Sequence, residues 1–198
     1  MSTISLGRPP EDAFEKYREA FECFSNPSSF QNLSDDDFEN HRTHNAKAAL
    51  DNPVACQRMS PAQFEASLRE FPWDAIKNEH SCRRMNDRQF DWAIRKMSWP
   101  ALKYLHAFSR LTIEQRLFCL SKEPFSPIVL PHVSDIADSE ILDSKIFRYP
   151  DIAMENSWIF RRVSLEAIIR FANKHRTASG IPEIVEILSE RSFLRGVR

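Results

Sequence analysis

The stretch Met85–Arg110, MNDRQFDWAIRKMSWPALKYLHAFSR, decides the fold because it is one copy of a unit that returns every 26 residues. Copies begin at Leu33, Met59, Met85, Leu111, Ala137 and Val163. A fixed period of tens of residues marks a chain of small units that bury their apolar faces against their neighbours. Each slot of the unit keeps its chemical character. The first is apolar in all six copies. The second holds Ser34, Ser60, Asn86, Thr112, Asp138 and Ser164, all able to accept a hydrogen bond from the unpaired amides that open a helix.

Three residues after that cap come Gln63, Gln89 and Gln115, which complete the capping-box pattern, and Asp37, a looser match. The sixth slot is Phe38, Phe64, Phe90, Arg116, Leu142 and Ile168, and the tenth is Leu68, Ile94, Leu120 and Ile146 in the middle copies. Helical spacing of these apolar positions predicts a helix of about ten residues at the start of each copy. Pro72, Pro124 and Pro150 share the fourteenth slot, with Pro100 two places later in its copy. Proline ends the first helix and suits the first turn of the next. A second short helix is then marked by Ala49-Leu50, Ala75-Ile76, Ala101-Leu102 and Ala153-Met154.

The expected fold class is all-α: a solenoid-like array, right-handed or irregular, of helix-pair repeats with capping helices at its ends. Residues 1–32 are expected to form an N-terminal tail and capping helix, 33–162 the repeats, and 163–198 the last repeat and C-terminal cap, in one domain overall. Phe14, Tyr17, Phe21 and Phe24 place an aromatic stripe on the first helix, expected to cover the open end of the stack. Ser25 to Asn32 reads as a turn-rich linker. After Val163–Arg176 the turn TASGIP leads into a longer final helix over Glu183–Leu194. Its acidic residues Glu183, Glu186 and Glu190 are unfavourable against phosphate, which argues against a DNA-reading helix-turn-helix.

Between residues 59 and 136 the repeat resembles the short helical repeats of uncharacterised bacterial proteins, the DUF4116-type repeat. The matching residues are Gln89, Ala101-Leu102-Lys103-Tyr104, Leu111 and Gln115. That resemblance implies an α-helical array and no activity.

Composition narrows the function. The chain has 198 residues with 42% hydrophobic and 28% charged, the balance of a globular protein with its own core. A formal net charge of −1 gives no global field toward nucleic acid or an anionic membrane. No apolar run reaches membrane-spanning length and no signal-peptide core opens the chain, so a cytoplasmic location is expected, with export as an effector still open. The three glycines, Gly7, Gly180 and Gly196, are far apart, so no phosphate-cradling loop or dinucleotide fingerprint can be built. Cys23, Cys56, Cys82 and Cys119 form no C-x-x-C pair; Cys56 and Cys82 fall in an apolar slot and read as buried free thiols. His41 and His44 lie close together but lack a third ligand for a metal, and no cofactor is expected.

Two in-register sets are candidate partner-binding residues. The last slot carries Arg58, Arg84, Arg110, Ile136 and Arg162, and the slot before it adds Arg83 and Arg161. Stacked, these arginines would form a basic ridge suited to a carboxylate-rich surface or a phosphate backbone. A dipole-complementing, ion-paired role near helix ends explains them more simply. The second set is His80, His106 and His132, too widely spaced to share one metal. Pairing Cys119 with His106 or His132 raises a nucleophile and base, but no cleft is legible around them. The expected function is a non-enzymatic protein-binding module: a scaffold, adaptor or inhibitor. The alternative is binding of nucleic acid or phosphate by the arginines. No small-molecule substrate and no membrane partner are expected.

Overall fold

The computed structural model describes residues 11–26, 29, 33–135, 137–175, 178 and 180–195. The expected tail, most of the linker before Leu33, Ile136, and Thr177 and Ser179 of the TASGIP turn lie outside them. Among the described residues the chain is all-helical, with seventeen α-helices, short 3-10 turns and no strand. None of these helices is long and apolar enough to cross a membrane. The chain divides into two compact units, Met1–Leu111 and Thr112–Arg198.

The first unit opens with α1 (Glu11–Ser25). Three trios follow: α2 (Asp35–His44), α3 (Ala46–Asp51) and α4 (Pro53–Arg58); α5 (Pro61–Glu70), α6 (Pro72–Lys77) and α7 (Glu79–Arg84); α8 (Asp87–Lys96), α9 (Ser98–Lys103) and α10 (Leu105–Phe108). Each trio begins as the sequence dictates. Ser34 accepts from the Asp37 amide, and Ser60 and Asn86 form complete capping boxes with Gln63 and Gln89. The first-slot residues Met59 and Met85 and the sixth-slot phenylalanines Phe38, Phe64 and Phe90 are all buried. So are Leu50, Leu68, Ile76, Ile94 and Leu102, and together they fill the space between successive trios.

A repeat is thus three helices and not a pair. The third is short, six residues in α4 and α7. An asparagine recurs at the position before it, as Asn52 and Asn78, but only Asn52 caps its helix through its side chain. Asn52 caps α4 by accepting from the Val54 and Ala55 amides, while its own amide donates to the Phe24 carbonyl (2.8 Å). Pro53 follows at the first helical position, where its missing N–H costs nothing.

Helix α1 packs on α2 and α3 through Ala20, which is fully buried, and Phe24, which meets Phe38 edge-on with centroids 5.8 Å apart. Phe14, Tyr17 and Phe21 stay 67%, 48% and 53% exposed, so the aromatic stripe covers the repeat only at its last member. The small Ala20 and Phe24, four residues apart, set the face that docks. In the first repeat the tenth slot, aliphatic in the middle copies, holds Arg42. This residue is buried, donating through Nε and Nη2 to Glu39 (2.7 and 2.6 Å) and through Nη1 to Ser67 Oγ (3.1 Å).

The second unit repeats the plan less regularly: α11 (Ile113–Lys122), α12 (Ser126–Val129), α13 (Pro131–Ser134), α14 (Ser139–Arg148), α15 (Pro150–Glu155), a 3-10 turn at Ser157–Arg161, α16 (Leu165–Lys174) and α17 (Pro182–Arg195). Thr112 and Gln115 cap α11 reciprocally, and Ser164 caps α16. Asp138 makes no side-chain cap. The core gathers Ile146, Ile159, Phe160, Ile168 and Phe171 with Ile184 and Ile187 of α17. The final helix therefore belongs to this core, and Arg161 donates to its Glu186 (2.6 Å).

Candidate functional site

Three of the last-slot arginines turn inward. Arg58, Arg84 and Arg110 each donate from Nη2 to the carbonyl 25 residues back, that of Leu33, Met59 and Met85, the first residue of their own repeat. The bonds from Arg58 and Arg110 measure 2.6 and 3.0 Å. Each guanidinium also lies over the sixth-slot ring of its repeat: Phe38 at 4.6 Å, Phe64 at 4.6 Å and Phe90 at 4.3 Å. Arg110 adds a bond to the Cys82 carbonyl through Nη1. The side chains thus close each repeat, end to start. Arg58 further contacts Asp35 (3.1 Å) and Arg110 lies 3.8 Å from Asp87. Their neighbours face water. Arg83 is 74% exposed beside Glu79, Arg161 is half-exposed beside Glu186, and Arg162 reaches Asp135 at 2.6 Å.

The histidines behave similarly. His80 and His106 donate from Nε2 to the Leu50 and Ile76 carbonyls, 30 residues back, at 2.6 and 2.9 Å. A carbonyl only accepts, so Nε2 carries the proton in both. His132 is half-buried at the same slot of the second unit. Cys56, Cys82 and Cys119 are buried, and burial pushes the Cys56 thiol up to about 11, the reverse of what an activated nucleophile needs. Among the described residues no group of three His, Cys, Asp or Glu side chains is placed to hold a metal.

Two surface grooves lie between the first helices of successive repeats. In the first unit a groove of about 270 Å³ lies between α5 and α8, lined by Glu65, Arg69, Asn86, Arg88, Gln89 and Trp92. Its two walls are tied together: Gln89, while capping α8, donates from Nε2 to Glu65 Oε2 (2.7 Å). Glu65 Oε1 accepts from Arg69 Nε (2.8 Å), which holds the Arg69 guanidinium 5.7 Å from the Trp92 ring. The hydrogen bond from Gln89, with help from Arg69, holds the Glu65 carboxyl below its usual range. One repeat earlier Gln63 donates to Glu39 in the same way (2.7 Å).

The second unit has a groove of about 340 Å³ at the same repeat positions, between α14 and α16. Asp143 stands where Glu65 does and accepts from both the backbone N–H (2.8 Å) and the hydroxyl (2.6 Å) of Ser164. Phe147 replaces Arg69 and Arg170 replaces Trp92, with the guanidinium 5.2 Å from the ring. The cation–aromatic pair is kept and its members are exchanged across the groove. The charge differs: Arg69 and Arg88 against Glu65 in the first groove, Glu140, Asp143 and Glu166 against Arg170 in the second. None of these groove residues was a sequence-level candidate. The available signal was an arginine and an aromatic 23 positions apart, in both orders. A scan against protein-family models and searches of curated proteins and of solved structures found no match to this chain.

Proposed function

We propose that this chain is a non-enzymatic protein-binding module in which the repeats form a solenoid-like stack within each unit and present the grooves between their first helices to a partner. The observation that carries this reading is the recurrence of the groove at the same repeat positions in both units, with a cation–aromatic pair retained and the charge reversed. Stacked repeats expose extended surfaces of this kind, whose lining residues can vary while the buried slots stay fixed. Aromatic and arginine side chains are the residue types that contribute most to protein–protein binding.

The nucleic-acid alternative loses support from the geometry of its arginines. Arg58, Arg84 and Arg110 are engaged with their own repeats, leaving Arg83, Arg161 and Arg162 as the outward-facing members of that set. A phosphate-tracking surface needs several unshielded cations in line.

Site-specific photo-crosslinking in source lysate tests the reading. A photoreactive residue at Arg88 or Ser144, each on a groove, is expected to give adducts with protein. The same residue at Gln57 or Lys103, exposed on the short helices, serves as the comparison. Adducts confined to the short-helix positions, or adducts with nucleic acid in place of protein, would overturn it.

A further inference from the structure

From the groove between α5 and α8 we infer a partner chemistry: it takes an acidic peptide segment in which a carboxylate neighbours an apolar side chain. The inference rests on the binding-module reading and adds the partner's character to it. Glu65 and Arg69 lie four residues apart on α5, and Arg88 and Trp92 four apart on α8, so each pair projects from one face of its helix. The Gln89–Glu65 bond sets the two faces against each other.

Within that frame the Glu65 carboxylate is ion-paired with Arg69 Nε and accepts from the Gln89 amide. The terminal nitrogens of Arg69 make no hydrogen bond to a described residue. Arg88, exposed one turn before Trp92, adds a second guanidinium. Guanidinium groups fixed at one edge match the two oxygens of a carboxylate, and a fixed guanidinium loses less freedom on binding than a loose one. Trp92, half-buried beneath Arg69, supplies an apolar surface beside them for the adjoining side chain. The groove holds a few side chains. It offers two arginines, too few to follow a polyphosphate backbone.

Fluorescence anisotropy on the full chain tests this with short labelled peptides in three matched series. Glu alternates with Phe and Gly in one, and Gln or Lys replaces Glu in the others. The Glu series is expected to bind saturably and the Gln series about tenfold more weakly, the scale of losing a charge-assisted hydrogen bond. R88E is expected to weaken the Glu series and strengthen the Lys series. R88Q, which keeps a polar helix surface, is expected to weaken the Glu series alone. Absence of a Glu preference, a preference that survives both variants, or displacement by oligothymidylate at equal charge would overturn the inference. If photo-crosslinks to protein form at Arg88 while the Glu series shows no preference, the acidic partner falls and the binding module stands. If neither appears, both fall.

Discussion

At the scale of single residues, the in-register arginines separate into two kinds that the sequence writes identically. Arg83 and Arg84 are adjacent in the chain, yet one lies in water beside Glu79 and the other bonds the Met59 carbonyl beneath Phe64. A guanidinium–carbonyl bond contributes on the order of 1.5–3 kcal/mol, against roughly 0–1 for an exposed ion pair. Arg84→Ala should therefore lower unfolding stability by about 2 kcal/mol, and Arg83→Ala by no more than about 0.5 kcal/mol, in urea titrations. Arg110→Ala should cost more than Arg84→Ala, because Arg110 bonds two carbonyls. Arginine identity and spacing were legible in the sequence. The direction each side chain takes was not, because the last two slots of a repeat point to opposite sides of a short helix end.

The buried thiols give a second test at this scale. Burial raises all three thiols, Cys56 to about 11, but Cys23 is only half-buried where Cys56 and Cys82 are enclosed, so iodoacetamide should label Cys23 first in the native protein. Cys56 and Cys82 should react only once the chain unfolds, and mass spectrometry along a urea series reads the order. Early labelling of Cys56 would show that the first unit opens far more readily than its packing implies.

At the scale of elements, the first helix of each repeat was the most legible part of the chain. Ser60, Asn86 and Thr112 announce their helices because capping chemistry is local, and all three form the reciprocal boxes their spacing requires. Asp138 fits the same slot and makes no cap, since composition does not fix the rotamer. Ser60→Ala and Thr112→Ala should each cost about 1 kcal/mol, while Asp138→Ala should cost no more than a few tenths. The third helix of each repeat escaped notice because six residues carry too little periodicity to declare a helix. Its signal lay in Asn52, Asn78 and Asn156 sharing one slot, with Pro53 and Pro131 sharing the next.

The groove is also a property of paired elements. Glu65 has its carboxyl lowered by Gln89 of the next repeat, so the bond between α5 and α8 depends on pH. Because the folded-state value lies below that of an ordinary glutamate, the stabilisation is complete above the ordinary value and fades as pH falls through the lower, folded one. Glu65→Gln should thus destabilise the protein slightly at neutral pH, by no more than about 1 kcal/mol for so exposed a group. The difference from the parent protein should vanish in acid. A pH series of thermal melts measures it, and a difference that persists at low pH would remove Glu65 from the role given to it.

At the scale of the whole molecule, the 26-residue period and the all-helical class could be read from slots that recur in chemical type. The grooves could not, since they join the seventh and eleventh slots of one repeat to the second, fourth, fifth and eighth of the next. Sequence order hides that juxtaposition until the repeats are packed. On the proposed reading, labour is divided between two sets of side chains: buried in-register residues hold the repeats, and variable residues on the first helices are those offered to a partner. Affinity capture from source lysate with three baits tests this most directly: the parent chain, R83E/R161E, and R88E/W92A. The parent and R83E/R161E should recover the same protein, and R88E/W92A should lose it. Loss in R83E/R161E with retention in R88E/W92A, or recovery of nucleic acid without protein by the parent chain, would contradict the account.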